Sequence, residues 1–380
     1  MFAAACIVAA GAALVTAIYA IGITDKNATA RDYIEYWADG QLLVRGANPY
    51  DIPAILRLEQ SVGMDGSVPK VSFSPPVALE LVLPLGHVGP KAGLIAWLLL
   101  ELACAGLSAW LLWFLHGKPQ SRYHLLIFAF PPTLACLMAG QLGVFFLLGV
   151  VLFLCLNQTH PWLAGASLVL YGVKPHLFLP FVPVLFLDLL RRRDLRIPAG
   201  LALAIAASCA LSVAVDPHAW SQYHQMLHSM RMMDVFFPTV GEALRFLIRP
   251  GTHWLGFLPE AAACLWAAWF YWSRRERWNW ADHGLPLLLV AVAAAPYSWF
   301  TDEAIVFPAI LAAIYRSEKS LRAWIFLGAV TAASLVGVFW EIPLPSSFYV
   351  WTAPAWLAWY LYAMHSGVDR QPSDAAVTPA

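Results

Sequence analysis

The sequence has few charged residues. Only 12% of its 380 residues are Asp, Glu, Lys or Arg, whereas a soluble domain carries about 25%. The 23 basic and 23 acidic residues balance and form no basic stripe, which argues against a nucleic-acid partner. The six cysteines include no CxxC pair and all lie in apolar runs, so we expect neither disulfides nor zinc. An ordinary soluble domain is therefore excluded.

Long apolar runs stand where the charged residues are missing. Sixty per cent of the chain is hydrophobic and the mean hydropathy is +0.65. An upright helix crosses the hydrocarbon with about 20 apolar residues. We therefore predict an all-α polytopic membrane protein, a bundle of about 10–12 transmembrane helices. The candidate runs fall near 2–23, 77–88, 92–115, 123–139, 143–157, 162–187, 197–215, 259–273, 285–300, 303–315, 323–340 and 348–365.

The basic residues predict the orientation of these runs. Clusters at 191–196, 274–277 and 316–322 belong in the cytoplasm by the positive-inside rule. The loops at 24–76 and 216–258 then lie outside, and both termini lie inside. Because residues 1–23 show no basic leader region, we interpret them as a retained first span. The predicted domains are a membrane domain over 1–366 and a disordered cytoplasmic tail over 367–380.

The first outer loop carries an acidic helix. A helix from about 31 to 45 is predicted, with Gly46 as its C-terminal stop. Asp32, Glu35 and Asp39 fall at i, i+3 and i+7 and so share one face. Three neighbouring carboxylates repel one another, which favours a polar cavity or a hydroxyl-rich ligand in front of them. A plain solvated face is the alternative that spacing leaves open.

Polar groups also interrupt the apolar runs. Gln141 follows a glycine in one run, and Lys174 and His176 lie in another. A Lys at membrane depth costs at least about 2.5–3.5 kcal/mol, so it indicates function unless it snorkels to an interface. Spacing does not fix which side of the membrane Gln141 and Lys174 face. Asp302 belongs to a short outer turn.

The second outer loop predicts an amphipathic helix at the membrane interface. Over 218–228, the histidines and Gln225 separate from the apolar and aromatic side chains on a 3.6-residue period. Only His224 and His228 are spaced at i, i+4, so three-His metal ligation is not expected.

The order of these pieces along the chain carries a resemblance. An Asp-bearing helix is followed by G-x-N-P-Y, S-P-P, G-Q, G-x-K-P and P-Y-S-W-x-x-D motifs between about Arg31 and Pro308. This order resembles glycosyltransferase family 87, membrane enzymes of the GT-C fold that use polyprenyl-phosphate sugars, often polyprenyl-phosphate mannose. The resemblance implies a GT-C-like bundle and transfer to an extracytoplasmic lipid or glycan acceptor. Other sugars, such as arabinofuranose, glucose or galactose, stay open.

The resemblance also implies roles for single residues. Asp32 matches the family's general base, which would take a proton from the acceptor hydroxyl. The candidates for a second carboxylate or for acceptor positioning are Asp302, Glu35 and Asp39. The candidates for binding the donor phosphate are Lys174, His176, Arg31 and Arg45. Further cavity candidates are Tyr33, Trp37, Asn48, Tyr50, Gln141, Tyr297 and Trp299.

No cofactor is expected besides the donor substrate, the lipid-linked sugar. No bound metal is expected either, although a metal held by Asp32 and Asp302 stays open. Phe300 stands where the family often has a polar residue, which leaves Asp302 with either a positioning or a structural role. The main alternative function is a transporter or lipid flippase, which should show charge pairs within spans and a two-fold repeat. A structural assembly subunit and an acyltransferase are weaker alternatives, the latter because no H-x4-D motif is present.

Overall fold

The computed structural model describes Thr29, residues 31–229 and residues 236–366. The predicted first span at 1–23 and the predicted tail at 367–380 lie outside these residues. Within the described part of the chain, every regular element is a helix and no strand occurs. The predicted all-α fold class is therefore confirmed.

The α-helices of the first half begin in the outer loop. They are α1 (Tyr33–Val44), α2 (Ile52–Ser61), α3 (Leu79–Val82), α4 (Pro90–Leu115), α5 (Pro131–Ala139), α6 (Gly143–Leu156), α7 (Pro161–Ala166), α8 (Phe181–Arg192) and α9 (Arg196–Val215). Short 3-10 helices join or extend several of them, at Pro76–Ala78, Leu83–His87, Tyr123–Phe128, Val169–Gly172 and Pro175–Phe178.

The α-helices of the second half follow the amphipathic segment. They are α10 (Ala219–Ser229), α11 (Val240–Ile248), α12 (Leu258–Arg274), α13 (Trp280–Ala294), α14 (Phe307–Arg316), α15 (Leu321–Phe339) and α16 (Thr352–Ser366). The 3-10 helices here lie at His253–Phe257, Arg275–Arg277, Phe300–Val306 and Ser347–Tyr349. In α10, Ala219 and Met226 are buried while His224, His228 and Gln225 are exposed, as is His218 just before the helix, which confirms the predicted amphipathic pattern.

Among the residues that the structure describes, three helices are long and apolar enough to cross a membrane: α4, α9 and α15, with 26, 20 and 19 residues. Their outward faces carry large apolar side chains, such as Leu99 (61% exposed), Leu203 (62%) and Ile325 (63%). Such faces need an apolar surrounding, because their burial from water is favourable and the protein itself leaves them uncovered. The molecule is therefore a polytopic helical membrane protein.

Several predicted runs are not continuous helices. Run 77–88 consists of two 3-10 turns flanking the four-residue α3, and run 162–187 is divided among α7, two 3-10 helices and α8. Prolines explain several of these boundaries, because Pro cannot donate the backbone hydrogen bond that continues a helix. Pro161 and Pro175 each stand at the start of a helical segment. Hydropathy shows that such a run is apolar, but it does not show whether the backbone stays helical.

The fold packs around the 3-10 segment Phe300–Val306. Helices α5, α6, α13, α14 and α16 contact this segment, and all seven of its residues are buried. Helix α1 packs against the turn Leu83–His87. Gly40 and Gly86 meet there backbone to backbone, and a Cβ on Gly40 would lie 2.8 Å from the amide nitrogen of Gly86. These contacts hold the acidic helix against the bundle.

Candidate active site

A cavity of about 740 Å³ opens between α1, the loop before the turn Pro76–Ala78, and three breaks in the helices. The breaks lie at 140–142, 173–174 and 295–299. Backbone that is not helical is tolerated at membrane depth where it lines a cavity. Seven residues singled out from the sequence share its wall: Asp32, Glu35, Gln141, Lys174, Tyr297, Trp299 and Asp302.

Asp32 immediately precedes α1 and faces the cavity with 29% of its side chain exposed. Its Oδ2 accepts a hydrogen bond from Gln141 Nε2 at 3.0 Å. Its Oδ1 lies 3.2 Å from Lys70 Nζ. The hydroxyl of Tyr36 donates to Gln141 Oε1 at 3.0 Å, which fixes the amide so that its NH₂ points at Asp32. The carboxylate is therefore oriented and still accessible.

Lys174 and Asp302 form the second ion pair of the cavity. Lys174 Nζ donates to both oxygens of Asp302, at 2.7 and 2.9 Å. The backbone N–H of Trp299 donates to Asp302 Oδ2 at 3.0 Å. Asp302 has only 1% of its side chain exposed, whereas Lys174 has 16%. The carboxylate thus sits behind the lysine and holds its ammonium group at the cavity wall.

Glu303, the residue after Asp302, supports this segment through contacts with another helix. Its Oε1 accepts from the hydroxyl of Thr352 at 2.6 Å, and its Oε2 accepts from the indole N–H of Trp356 at 2.9 Å. Both donors belong to α16. Helix α16 therefore anchors the 3-10 segment that carries Asp302.

Four predicted site residues do not line the cavity, and three of them anchor α1 to neighbouring segments. Tyr33 donates to the carbonyl of Pro90, and Trp37 donates to the carbonyl of Val88 at 2.9 Å. Arg31 donates to the carbonyl of Met138, at the end of α5. Arg45 lies at the other end of α1 and donates to Gln41. The structure thus places neither arginine on the wall where a donor phosphate would bind.

Another four predicted residues also lie off the cavity wall. Asn48 caps the turn after α1 by accepting from the backbone of Tyr50, and Tyr50 donates to the carbonyl of Ser74. Asp39 is 3% exposed, and its burial raises its pKa well above the usual value. His176 is 4% exposed and packs against the ring of Tyr297, one layer behind the wall.

The structure adds cavity residues that the sequence did not single out. Lys70 contributes a second cation, and Tyr36 and Ser298 contribute hydroxyls. Tyr223 comes from α10, so the amphipathic helix reaches the site. Proline-rich rims at 68–75 and 343–345 complete the wall. Lys70 and Ser298 lie in loops, whose sequence has no periodicity that could pair them with Asp32.

The carboxylates that could share a metal are each paired with a lysine. Asp32 faces Lys70, and Asp302 faces Lys174. Across residues 31–229 and 236–366, no three His, Cys, Asp or Glu side chains come together as a metal-ligand group. The absence of a resident metal stays a prediction.

Comparison with known proteins identifies the family. The chain matches the sequence profile of Glycosyltransferase family 87 over residues 73–299, more than half of its length. Searches of curated proteins and of solved structures found no match. The matched segment contains Gln141, Lys174, Tyr297 and Trp299, while Asp32 and Asp302 lie outside it. With its helical membrane fold, the chain belongs to glycosyltransferase family 87 and is a membrane glycosyltransferase.

Proposed function

We propose that the protein transfers a hexose, with mannose favoured, from a polyprenyl-phosphate sugar to a hydroxyl of a lipid or glycan acceptor. The observation that carries this proposal is one cavity that presents an accessible carboxylate, Asp32, opposite a lysine held in place by a buried partner, Lys174 with Asp302. These are the groups that a glycosyl phosphodiester and an alcohol require.

The reaction follows from the chemistry of these groups. An alcohol is a weak nucleophile near neutral pH, so Asp32 takes its proton while the oxygen attacks the anomeric carbon. The bond from that carbon to the phosphate oxygen breaks with its electron pair on the phosphate. A phosphate leaving group needs a cation rather than an acid, and Lys174 supplies it. A single displacement of this kind inverts the anomeric configuration.

The helices support an outward-facing site. Helices α8, α13 and α14 each run between the cavity side and one of the arginine loops at 191–196, 274–277 and 316–322. Lys174 and Tyr297 therefore lie at the end of the bundle opposite the basic loops. If those loops are cytoplasmic, the cavity faces the extracytoplasmic side of the plasma (inner) membrane. The sugar-phosphate headgroup of a lipid-linked donor in that leaflet can then reach it.

The test is transfer from a panel of radiolabelled polyprenyl-phosphate sugars by the purified protein in proteoliposomes. We expect one sugar to be transferred and the glycosidic bond of the product to have the configuration opposite to that of the donor. Transfer from none of them, combined with movement of a lipid-linked sugar across the bilayer, would support the flippase alternative instead.

Asp32→Asn tests the base. We expect it to lower kcat by about 10²–10⁴-fold, the usual contribution of a general base, while expression and thermal unfolding stay near wild type. Asp39→Asn is the matched control on the same helix. Burial raises the pKa of Asp39 well above its usual value, and the side chain lies off the cavity wall, so Asp39→Asn should leave transfer near the wild-type rate. Near-wild-type transfer by the Asp32 variant would refute the assignment.

A further inference from the structure

Lys70 is positioned toward Asp32 by its own backbone. Its N–H donates to both carboxylate oxygens of Glu59, each at 3.2 Å. Glu59 is fully buried at the C-terminal end of α2. This contact fixes the loop between α2 and the turn Pro76–Ala78, and it places Lys70 Nζ at 3.2 Å from Asp32 Oδ1.

The two ion pairs of the cavity differ in how far they are open. Lys174 meets both oxygens of a carboxylate that is 1% exposed, so this pair is sealed on its Asp302 side. In the other pair, the side chains of Lys70 and Asp32 are 30% and 29% exposed, so this pair is open to the cavity on both sides. Substrate can therefore reach and rearrange the pair of Lys70 and Asp32 at less cost than that of Lys174 and Asp302.

Charge balance during the proposed transfer gives this difference a role. A polyprenyl-phosphate sugar carries one negative charge on its phosphodiester. When the glycosidic bond to phosphate breaks, the leaving phosphate carries two. In the same step the acceptor proton moves to Asp32, so the carboxylate that faced Lys70 becomes neutral. Lys70 thus loses an anionic partner at the moment when a new negative charge forms in the same cavity.

We infer that Lys70 is a further catalytic residue, whose ammonium group faces Asp32 in the resting site and stabilises the leaving phosphate as Asp32 is protonated. This inference rests on the proposed function. The ammonium group of Lys174 keeps the same partner, Asp302, throughout. The ammonium group of Lys70 exchanges its partner, from the Asp32 carboxylate to the leaving phosphate. The exchange couples proton removal from the acceptor to departure of the phosphate, because each step improves the electrostatics of the other.

Lys70→Met tests the charge without disturbing the loop. The backbone bond to Glu59 does not depend on the side chain at position 70, and that side chain is partly exposed. Lys70→Arg restores a cation. Lys91→Met, an exposed lysine at the start of α4, is the matched control. The three variants are compared with wild type in steady-state transfer from the donor that wild type accepts, with polyprenyl phosphate added as product inhibitor.

We expect Lys70→Met to lower kcat by about 10²–10³-fold, as removal of one preorganised stabilising group does, with a small change in donor KM. Inhibition by polyprenyl phosphate should weaken much more than donor binding, because the product carries the second negative charge. Lys70→Arg should recover part of the kcat and part of the inhibition by polyprenyl phosphate. Lys91→Met should match wild type in both measurements.

Two results would overturn the inference while leaving the proposed function intact. One is a Lys70→Met variant that transfers sugar at the wild-type rate. The other is a loss of kcat with unchanged product inhibition, which would assign Lys70 to the orientation of Asp32 alone. A wild-type protein that transfers no sugar would overturn the proposed function, and the inference with it.

Discussion

Asp32 and Asp302 lie in the same cavity but in different surroundings. Asp302 has its oxygens occupied by Lys174 and by the backbone N–H of Trp299, and 1% of its side chain is exposed. Asp32 accepts from Gln141 and Lys70 and remains open to the cavity. A base must be reached by the hydroxyl that it deprotonates. This contrast favours Asp32 as the base. The sequence left Asp302 with either a positioning or a structural role, and its enclosed position favours the structural one.

Glu35 is a third carboxyl at the cavity wall, with a different protonation state. The surrounding protein removes it from bulk water, and this desolvation together with the nearby charge of Asp32 raises its pKa to about 8. At neutral pH Glu35 is therefore mostly protonated. A neutral Glu35 adds no further negative charge beside Asp32, which favours binding of the anionic donor that we propose.

The raised pKa of Glu35 makes a prediction for stability. The folded state holds a proton that the unfolded state releases above its ordinary pKa of 4.5, so stability falls as pH rises from 4.5 to about 8. The slope is at most about 1.4 kcal/mol per pH unit. The Gln side chain of the Glu35→Gln variant cannot ionise. The unfolding temperature of this variant in detergent, relative to that of wild type, should therefore rise with pH across this window. The gain should level off above the window.

Glu276→Gln is the control for this measurement, because Glu276 is exposed on a loop remote from the cavity. Its unfolding temperature should follow wild type at every pH. Parallel pH curves for wild type and Glu35→Gln would show that Glu35 ionises normally in the folded protein.

At the scale of elements, the site is made by interruptions of helices. Helix α5 ends at Gly140, whose φ of +73° is a left-handed conformation that favours glycine. Its carbonyl accepts from the indole of Trp97, and a Cβ added here would lie 2.6 Å from the Cβ of Tyr33. The turn thereby sets the position of the next residue, Gln141, against Asp32.

Gly140→Ala should therefore be harmful for two reasons. Its strained backbone costs about 1–3 kcal/mol, and its methyl group pushes α1 away from Gln141. A misplacement of about 1 Å in an active site can cost about 10²-fold in rate, so kcat should fall more than stability alone accounts for. Unfolding temperature and transfer rate, measured on the same preparation, separate the two effects.

Gly328→Ala is the matched control, because Gly328 lies within α15 with open space around its Cα. Alanine favours helix over glycine by about 1 kcal/mol, so this variant should be as stable as wild type or more stable, with full activity. A Gly140→Ala protein with wild-type transfer would mean that the turn does not position Gln141.

At the scale of the whole molecule, the basic loops gather at one end. Arg191 pairs with Glu276 at 2.6 Å, and Arg192 donates to the carbonyl of Trp278. Two of the loops predicted to be cytoplasmic therefore touch one another. The cavity lies at the opposite ends of the helices that leave these loops, which agrees with the proposed orientation.

Cysteine labelling tests this orientation. Val68 is 75% exposed at the rim of the cavity, and Arg277 is exposed in a basic loop. In intact cells, a membrane-impermeant maleimide should label Val68→Cys but label Arg277→Cys only after permeabilisation. Wild-type protein, whose described cysteines lie in helices, gives the background. Labelling of Arg277→Cys in intact cells would reverse the proposed topology.

The sequence predicted the long helices well. Runs 92–115, 197–215 and 323–340 match α4, α9 and α15 to within about two residues at each end. These helices are apolar along their whole length because they face lipid, so hydropathy alone is enough to find them. Run 162–187 is not one continuous helix, because one of its breaks, at 173–174, lines a cavity formed by tertiary contacts. The number of membrane crossings, about a dozen, stays a prediction.

The site could be predicted in part, because some of its polar residues interrupt or flank apolar runs. Asp32, Gln141, Lys174 and Asp302 stand out because polar groups beside apolar runs need partners, and the structure brings these four to one cavity. Lys70 could not be found, because its contact with Asp32 crosses a loop without periodicity. Aromatic residues such as Trp37 cannot be assigned to wall or support until the packing of α1 is known.

The anchoring of Glu303 by α16 has a consequence for biogenesis. The ribosome completes α1 long before α16, so the nascent chain carries Asp32 well before the segment with Asp302 is fixed. That segment is held once Thr352 and Trp356 occupy both oxygens of Glu303. The segment with Asp302 is therefore anchored by α16 late in membrane insertion, and the transfer that we propose becomes possible only at that stage.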